Sequence, residues 1–288
     1  MLTLKDLDHV FTHVTDWEEL RNQNIFISGG TGWFGRWMVE TLLYADAQLK
    51  LNCHIVVLTR RNRISTDPSV TFWEGDINEI EFPKGNFSHI LHLAIDGTGR
   101  MLRFAEQCKA KKFLFTSSGA VYKLKPDKYA QTKIYDEYWC RSISPPPEVK
   151  IARCFSFVGP LSPQDRNFAI GDFIGSAINT KKVFIRNADN TPSRSYLYMA
   201  DLAIWLWTIL FRGKTGEAYN VGGEQEYTVR EGGELVGKGA QVPVIYWPNE
   251  KMESVDYVPF VEHTKEKLGL CEWIPLEEGI RRTLEFYK

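Results

Sequence analysis

Short apolar runs alternate with longer amphipathic stretches through the first half of the chain. The runs are NIFIS (24–28), HIVVLT (54–59), VTFWEG (70–75), HILHLA (89–94), KFLFTS (112–117) and VKIARC (149–154). Between them, WFGRWMVETLLYA (33–45), GRMLRFAEQCKA (99–110) and KYAQTKIYDEYW (128–139) carry helical spacing. Strands alternating with helices predict parallel pairing through right-handed crossovers. Strands apolar along their whole length predict a sheet covered on both faces. The expected class is α/β, with a doubly wound parallel sheet.

The pattern changes after the proline run SISPPPE (142–148), which must end the preceding helix. Beyond Gly159 and Pro160 the alternation decays. Short strands such as KVFIR (182–186) and SYLYM (195–199) mix with helices DLAIWLWTIL (201–210) and LEEGIRRTLEFY (276–287). The division expected is a first domain over 1–160, with a short helical extension at its start, and a smaller α/β lobe over 161–288 with some elements interleaved.

Composition narrows the class of partner. The chain has 288 residues, 43% of them hydrophobic, and a net charge of −1. That balance advertises neither nucleic acid nor an acidic membrane surface. The most apolar run, LAIWLWTILF (202–211), is half the length of about 20 residues that a spanning helix needs, and reads as buried packing. Five scattered cysteines without CxxC spacing fit reduced thiols and a cytoplasmic location. The N-terminal stretch is too charged for a signal peptide. The histidines show no ligand spacing, so no metal site is expected.

ISGGTGWFG places Gly29, Gly32 and Gly35 directly after the first strand and at the start of a helix. Glycines there allow a tight turn and let backbone N–H groups approach a pyrophosphate at the positive helix end. The second strand ends in Thr59, Arg60, Arg61 and, two further on, Arg63, with no acid to hold an adenosine ribose. Arginine pairs with a 2′-phosphate, so NADP is favoured, with NAD as the alternative. Asp76, after the third strand, is placed to reach the adenine or to cap a helix.

FLFTSSGAVYKLKPDKYAQTK brings Ser118, at a strand end, close in sequence to Tyr129 and Lys133. A four-residue spacing puts Tyr129 and Lys133 on one helix face. An ammonium beside the phenol is expected to lower its pKa from about 10, making a usable proton donor and acceptor. Ser118 would bond the same substrate oxygen at the carboxyl end of the sheet.

Together, GGTGWFG, GDI, HLA, TSSGAVY, YAQTK, RCFSFVGP, RSYLYMADLA and AYNVGG resemble, in order, the extended short-chain dehydrogenase/reductase family and its nucleotide-sugar epimerases, dehydratases and ketoreductases. The resemblance runs from about Asn24 onward. It implies a Rossmann-type nicotinamide-binding domain, a carboxyl-terminal lobe for a nucleotide diphosphate sugar, hydride exchange at sugar C4, and a homodimer through a four-helix contact. By the same resemblance Gly29, Gly32, Trp33, Phe34, Gly35, Thr59, Arg60, Asp76, Ile77, Leu93, Ala94 and Ser117 border the cofactor. Tyr129 is the acid/base and Lys133 supports it and holds a ribose. Ser118, Ser156, Asn167 and Arg194 face the substrate, Arg194 through its phosphate. His92 reads as a packed strand residue and Asp201 as a helix cap.

Two departures matter. The family's 4,6-dehydratases carry Asp-Glu where this chain has Gly119 and Ala120, and its decarboxylases place a glutamate at the second position. Epimerisation or ketone reduction is therefore favoured. The alternatives are a dehydratase with an atypical site and an idle NADP-binding sensor or scaffold. The second departure is length. The links at HLAIDGTG, VYKLKPDKYAQTK and TRRNRISTDPSV are short for the family, as though active-site segments were missing from the sequence.

Overall fold

The fold was analysed in a computed structural model, which describes residues 1–61, 65–164, 168–186, 192–247 and 255–288. In chain order the first elements are α1 (Leu4–His13), β1 (Asn24–Ser28), α2 (Trp33–Leu49), β2 (His54–Thr59), β3 (Val70–Glu74), β4 (His89–His92), α3 (Thr98–Gln107), β5 (Lys112–Ser118), α4 (Lys128–Ser142) and β6 (Glu148–Cys154). There follow β7 (Phe157–Val158), α5 (Ala169–Thr180), β8 (Val183–Arg186), β9 (Ser193–Arg194), β10 (Leu197–Tyr198) and α6 (Met199–Arg212). The last are β11 (Ala218–Val221), β12 (Tyr227–Thr228), α7 (Val229–Ala240), β13 (Val244–Trp247), α8 (Glu262–Leu268) and α9 (Leu276–Phe286). The expected strand SYLYM shrinks to the two residues of β10, because Met199 already begins α6.

Seven strands form one sheet in the order β11-β6-β5-β4-β1-β2-β3. The pairs β1–β2, β2–β3, β1–β4, β4–β5 and β5–β6 all run parallel. Strand order reverses between β1 and β4, and such a switch point opens a crevice at the carboxyl ends of its strands. Ser28 and His92 are paired in register there.

The chain divides into two compact units. The first holds Met1–Cys154 and Ala203–Tyr219, the second Phe155–Leu202 and Asn220–Lys288. The boundary thus falls earlier than the expected 160, and most of α6 returns to the first unit. The reason is burial: Trp205 and Trp207 are fully enclosed. The Trp207 indole donates to Thr41 of α2 at 3.0 Å and packs edge-on to Trp17. Under the sheet, Phe26, Phe104 and Phe113 are fully or almost fully buried, and Phe26 meets Phe104 edge to face at 4.9 Å. Within the second unit, β13 pairs parallel with β8, and β12 antiparallel with β9. Among the described residues no helix is long and apolar enough to cross a membrane.

The link from β5 to α4 is short and closed by its own bonds. Ser118 Oγ accepts from the Ala120 N–H at 3.1 Å and starts a 3-10 turn over Gly119–Tyr122. Asp127 then caps α4, accepting from the Ala130 N–H at 2.8 Å and from Lys123 Nζ at 2.6 Å.

Candidate active site

The glycine loop occupies the switch point. Gly29 has φ +72°, and a Cβ there would lie 2.7 Å from the backbone of Leu93 and Ala94, just beyond β4. A Cβ on Gly35 would come within 2.2 Å of the Gly29 oxygen. Both glycines are therefore demanded by the fold itself. Gly32 is different: its φ is −77°, and an added Cβ would meet only the Gly29 oxygen, at 3.2 Å. The space above Gly32 is open, at the N-cap of a 17-residue helix with no capping side chain and no acid in its first turn. A positive helix end beside such an opening suits a pyrophosphate. The residues present fit a dinucleotide, with Trp33 and Phe34 in the first helical turn.

The neighbouring loops serve this frame in different ways. Thr59 Oγ1 accepts from the Arg61 N–H at 3.3 Å, so the end of β2 closes on itself, and Arg60 is exposed. Arg63 lies outside the described residues. Asp76 caps a turn rather than a helix: its Oδ1 accepts from the Asn78 N–H at 2.8 Å. Ile77 fills the space against Gly97, the N-cap of α3. His92 is fully buried, with Nδ1 2.7 Å from Ser28 Oγ and Nε2 3.0 Å from Thr98 Oγ1. Burial, with Lys133 nearby, pushes its pKa down to about 3, so it is a neutral packed residue.

Ser118, Tyr129 and Lys133 come together. Ser118 is near enough to Tyr129 for its hydroxyl to draw the phenol's pKa down. Tyr129 remains 44% exposed, open to a ligand, whereas Lys133 is 2% exposed. The Lys133 Nζ donates to the carbonyls of Thr116 (3.2 Å) and Ile95 (3.4 Å) and sits 4.8 Å above the Phe115 ring.

One expectation fails here. Burial raises the Tyr129 pKa, and the Ser118 hydroxyl, not Lys133, draws it down. The Lys133 Nζ lies 6.0 Å from the Tyr129 ring centre and gives its protons to carbonyls. Burial also lowers the Lys133 pKa.

Ser117 is held from the other side. Its hydroxyl donates to Glu137 Oε1 at 2.7 Å, inside a buried network. Glu137 also receives Arg153 through Nε (2.8 Å) and Nη2 (2.6 Å), and Arg141 at 3.0 Å. Sequence reasoning missed Glu137. The available signal was its place four residues after Lys133 and eight after Tyr129, on one helix face.

The residues expected to face substrate belong to the second unit. Arg194 Nη1 donates to the carbonyls of Ser193 and Val255, at 2.8 and 2.7 Å, and burial lowers its pKa. Ser156 joins β7 to β10 through its carbonyl, which accepts from the Leu197 N–H at 3.1 Å. Asn167 lies outside the described residues. Asp201 is buried within the first turn of α6, and its Oδ2 accepts from the N–H groups of Trp273 and Ile274, both at 2.9 Å. It ties a distant segment rather than serving only as a cap. Among the described residues no three His, Cys, Asp or Glu side chains converge as metal ligands would.

The chain is similar to several known proteins. Over 92% of this chain and 89% of that protein, the sequence is 24% identical to a dTDP-D-glucose 4,6-dehydratase of Bos taurus. The fold matches a dTDP-glucose 4,6-dehydratase of Bacillus anthracis solved in complex with NAD, with a TM-score of 0.75 and 20% identity over 92% of this chain and 96% of that one. It also matches a UDP-glucose 4-epimerase of Thermotoga maritima solved with UDP-glucose, with a TM-score of 0.73 and 20% identity over 92% and 98%. The model of the NAD dependent epimerase/dehydratase family matches residues 86–222, from before β4 through β11, the stretch that carries Ser118, Tyr129 and Lys133. With the glycine loop and the strand order, this match makes the chain similar to the NAD dependent epimerase/dehydratase family over residues 86–222.

Proposed function

We propose that this protein is a nicotinamide-dependent nucleotide-sugar epimerase or oxidoreductase that exchanges hydride at sugar C4. The observation that carries the reading is the approach of Ser118, at the end of β5, to Tyr129 of α4, with buried Lys133 one helical turn along, in the unit that holds the open glycine cradle. Ser118 and Tyr129 present two hydroxyls to one substrate oxygen, and Tyr129 takes or returns its proton. Lys133 holds positive charge beneath them. Gly29, Gly32, Gly35, Leu93 and Ala94 form the dinucleotide cradle. The bound nicotinamide supplies hydride to a carbonyl carbon or accepts it from an alcohol carbon.

Gly119 and Ala120 offer no carboxyl group for eliminating water, so dehydration is the second reading, supported by the dehydratase of Bos taurus. The test is turnover with a nucleotide 4-keto sugar or 4-hydroxy sugar, followed at 340 nm. Loss of NAD(P)H absorbance marks a reductase. An isomeric sugar without net absorbance change marks an epimerase. A 4-keto-6-deoxy product would establish the dehydratase. In each case Tyr129→Phe is expected to lose 10²-fold or more in turnover, on the order of a general acid/base contribution, while dinucleotide binding persists. Undiminished turnover would sink the catalytic assignment and favour a sensor or scaffold.

The cofactor is proposed to be NADP, because the β2 end presents Arg60 and Arg61 and no acid. The NAD in the Bacillus anthracis structure supports the alternative. Fluorescence titration with both dinucleotides is expected to give tighter binding of NADP. Equal or weaker NADP binding removes Arg60 from the site. The substrate is proposed to be a nucleotide diphosphate sugar, with Arg194 at its phosphates and Ser156 and Asn167 at the sugar. A homodimer through α4 is also proposed, supported by exposed Ile134, Tyr135, Tyr138 and Trp139 on that helix, and a cytoplasmic location with it.

A further inference from the structure

His92 is a polar side chain where a covered parallel sheet ordinarily buries apolar ones. It ends β4, has no exposed surface, and stacks on the Phe115 ring with centroids 5.7 Å apart. An apolar residue would fill this volume without losing water. What the imidazole adds is two hydrogen bonds in two directions. Nδ1 lies 2.7 Å from Ser28 Oγ, and Nε2 lies 3.0 Å from Thr98 Oγ1. A neutral imidazole carries one N–H and one lone pair, and a hydroxyl can meet either, so the two hydroxyls satisfy the ring completely.

Those hydroxyls stand on the two walls of the switch-point crevice. Ser28 is the last residue of β1, immediately before Gly29. Thr98 is the first residue of α3, and residues 93–97 join it to His92. The 93–97 loop therefore begins at the His92 backbone and is closed six residues on by the His92 side chain. A polar ribbon runs from Ser28 through His92 to Thr98, across the foot of the crevice. Backbone contacts continue it upward. Ser28 and His92 are partners in the β1–β4 register, and the Leu93 N–H donates to the Ser28 carbonyl at 3.0 Å. One step higher the walls touch, because a Cβ on Gly29 would lie 2.7 Å from the backbone of Leu93 and Ala94. The 93–97 loop also carries the Ile95 carbonyl that receives Lys133 Nζ at 3.4 Å.

We propose that His92 is a positioning residue for the dinucleotide site, its two ring nitrogens holding the glycine loop and the 93–97 loop at one separation. The inference rests on the reading of that cradle as a dinucleotide site. Each nitrogen has its own hydroxyl, so each wall can be released by itself. Ser28→Ala frees the glycine-loop side. Thr98→Val frees the 93–97 side while keeping the branched shape of the side chain.

Two measurements on the full chain test this. Amide hydrogen exchange without any ligand reads the walls themselves. Thr98→Val is expected to speed exchange about tenfold over 93–97, and Ser28→Ala over 29–32, with β5 and β6 unchanged. Thr98→Ser, which keeps the hydroxyl, is expected to exchange as the wild type does. Fluorescence titration with NADPH and with NADH reads the consequence. Both Ser28→Ala and Thr98→Val are expected to bind the preferred dinucleotide about tenfold more weakly, and Thr98→Ser to bind it normally. Wild-type exchange rates in both loops overturn the proposal. Lower thermal stability with unchanged dinucleotide affinity also overturns it, since a purely structural histidine would give that result. Should one variant fail to fold, the other reads the same ring from its second nitrogen. A wild-type chain that binds neither dinucleotide sinks the cofactor reading, whereas equal binding by the wild type and both variants sinks this inference alone.

Discussion

Two neighbouring residues of α4 bury carboxylates in opposite ways. Glu137 is 3% exposed and saturated, receiving Ser117, Arg141 and both sides of the Arg153 fork. Asp136 keeps one oxygen buried without a hydrogen-bond partner. Burial alone would raise the Glu137 carboxyl, but the bonds from Arg153, Ser117 and Arg141 overcome it and hold its pKa below the ordinary value. For Asp136 burial prevails. A saturated charge fixes geometry: Glu137 fastens α4, with Tyr129 and Lys133, to β5 and β6. A half-satisfied charge answers to its neighbours, which is the property a proton-handling site needs.

The largest effect expected from this contrast is in stability. Glu137→Gln strands the Arg153 guanidinium, and removing one partner of a buried pair costs about 3 kcal/mol. Urea unfolding at pH 7 measures it. The folded pKa of Glu137 is depressed, so its contribution is present above the ordinary carboxylate range and is lost as pH falls through the folded value. The gap between wild type and Glu137→Gln should therefore close below about pH 4. A gap that persists in acid would mean the network holds without ionised Glu137, and the contrast with Asp136 would collapse.

A smaller effect belongs to His92, which joins both sides of the site. Its pKa lies at about 3 when folded, against 6.5 ordinarily. The unfolded chain takes up a proton below about pH 6.5 that the folded chain refuses until about pH 3, so folding weakens as pH falls through that window. The slope reaches at most about 1.4 kcal/mol per pH unit. In His92→Gln that decline is expected to flatten, as read from urea midpoints at pH 7 and pH 5. An equal decline in both proteins would show that His92 titrates normally and does not lie in a neutral ribbon.

Much of this molecule is local enough to read from its sequence. The apolar runs predicted the first six strands to within two residues at either end, because a buried parallel strand needs nothing but its own unbroken apolar surface. The glycine loop was legible for a similar reason: a left-handed turn and a close helix start demand glycine wherever they occur. Tyr129 and Lys133 could be paired because helix geometry fixes which spacings share a face.

Only tertiary structure decided the rest. Ser117 and Ser118 are adjacent and alike in sequence, yet one is bound to Glu137 and the other lies near Tyr129. The difference arises from where α4 packs. The Lys133 charge was read as lying beside the phenol, but its protons go to two carbonyls. Asp136 carried no signal of its own, since a polar residue on a polar helix predicts solvent. Its burial depends on α3 packing against α4. Sequence settled which backbone shapes and side-chain types were present. The folded chain settled which charges lost water and which partners remained to replace it, because desolvation is a property of the whole surrounding volume and not of any local stretch.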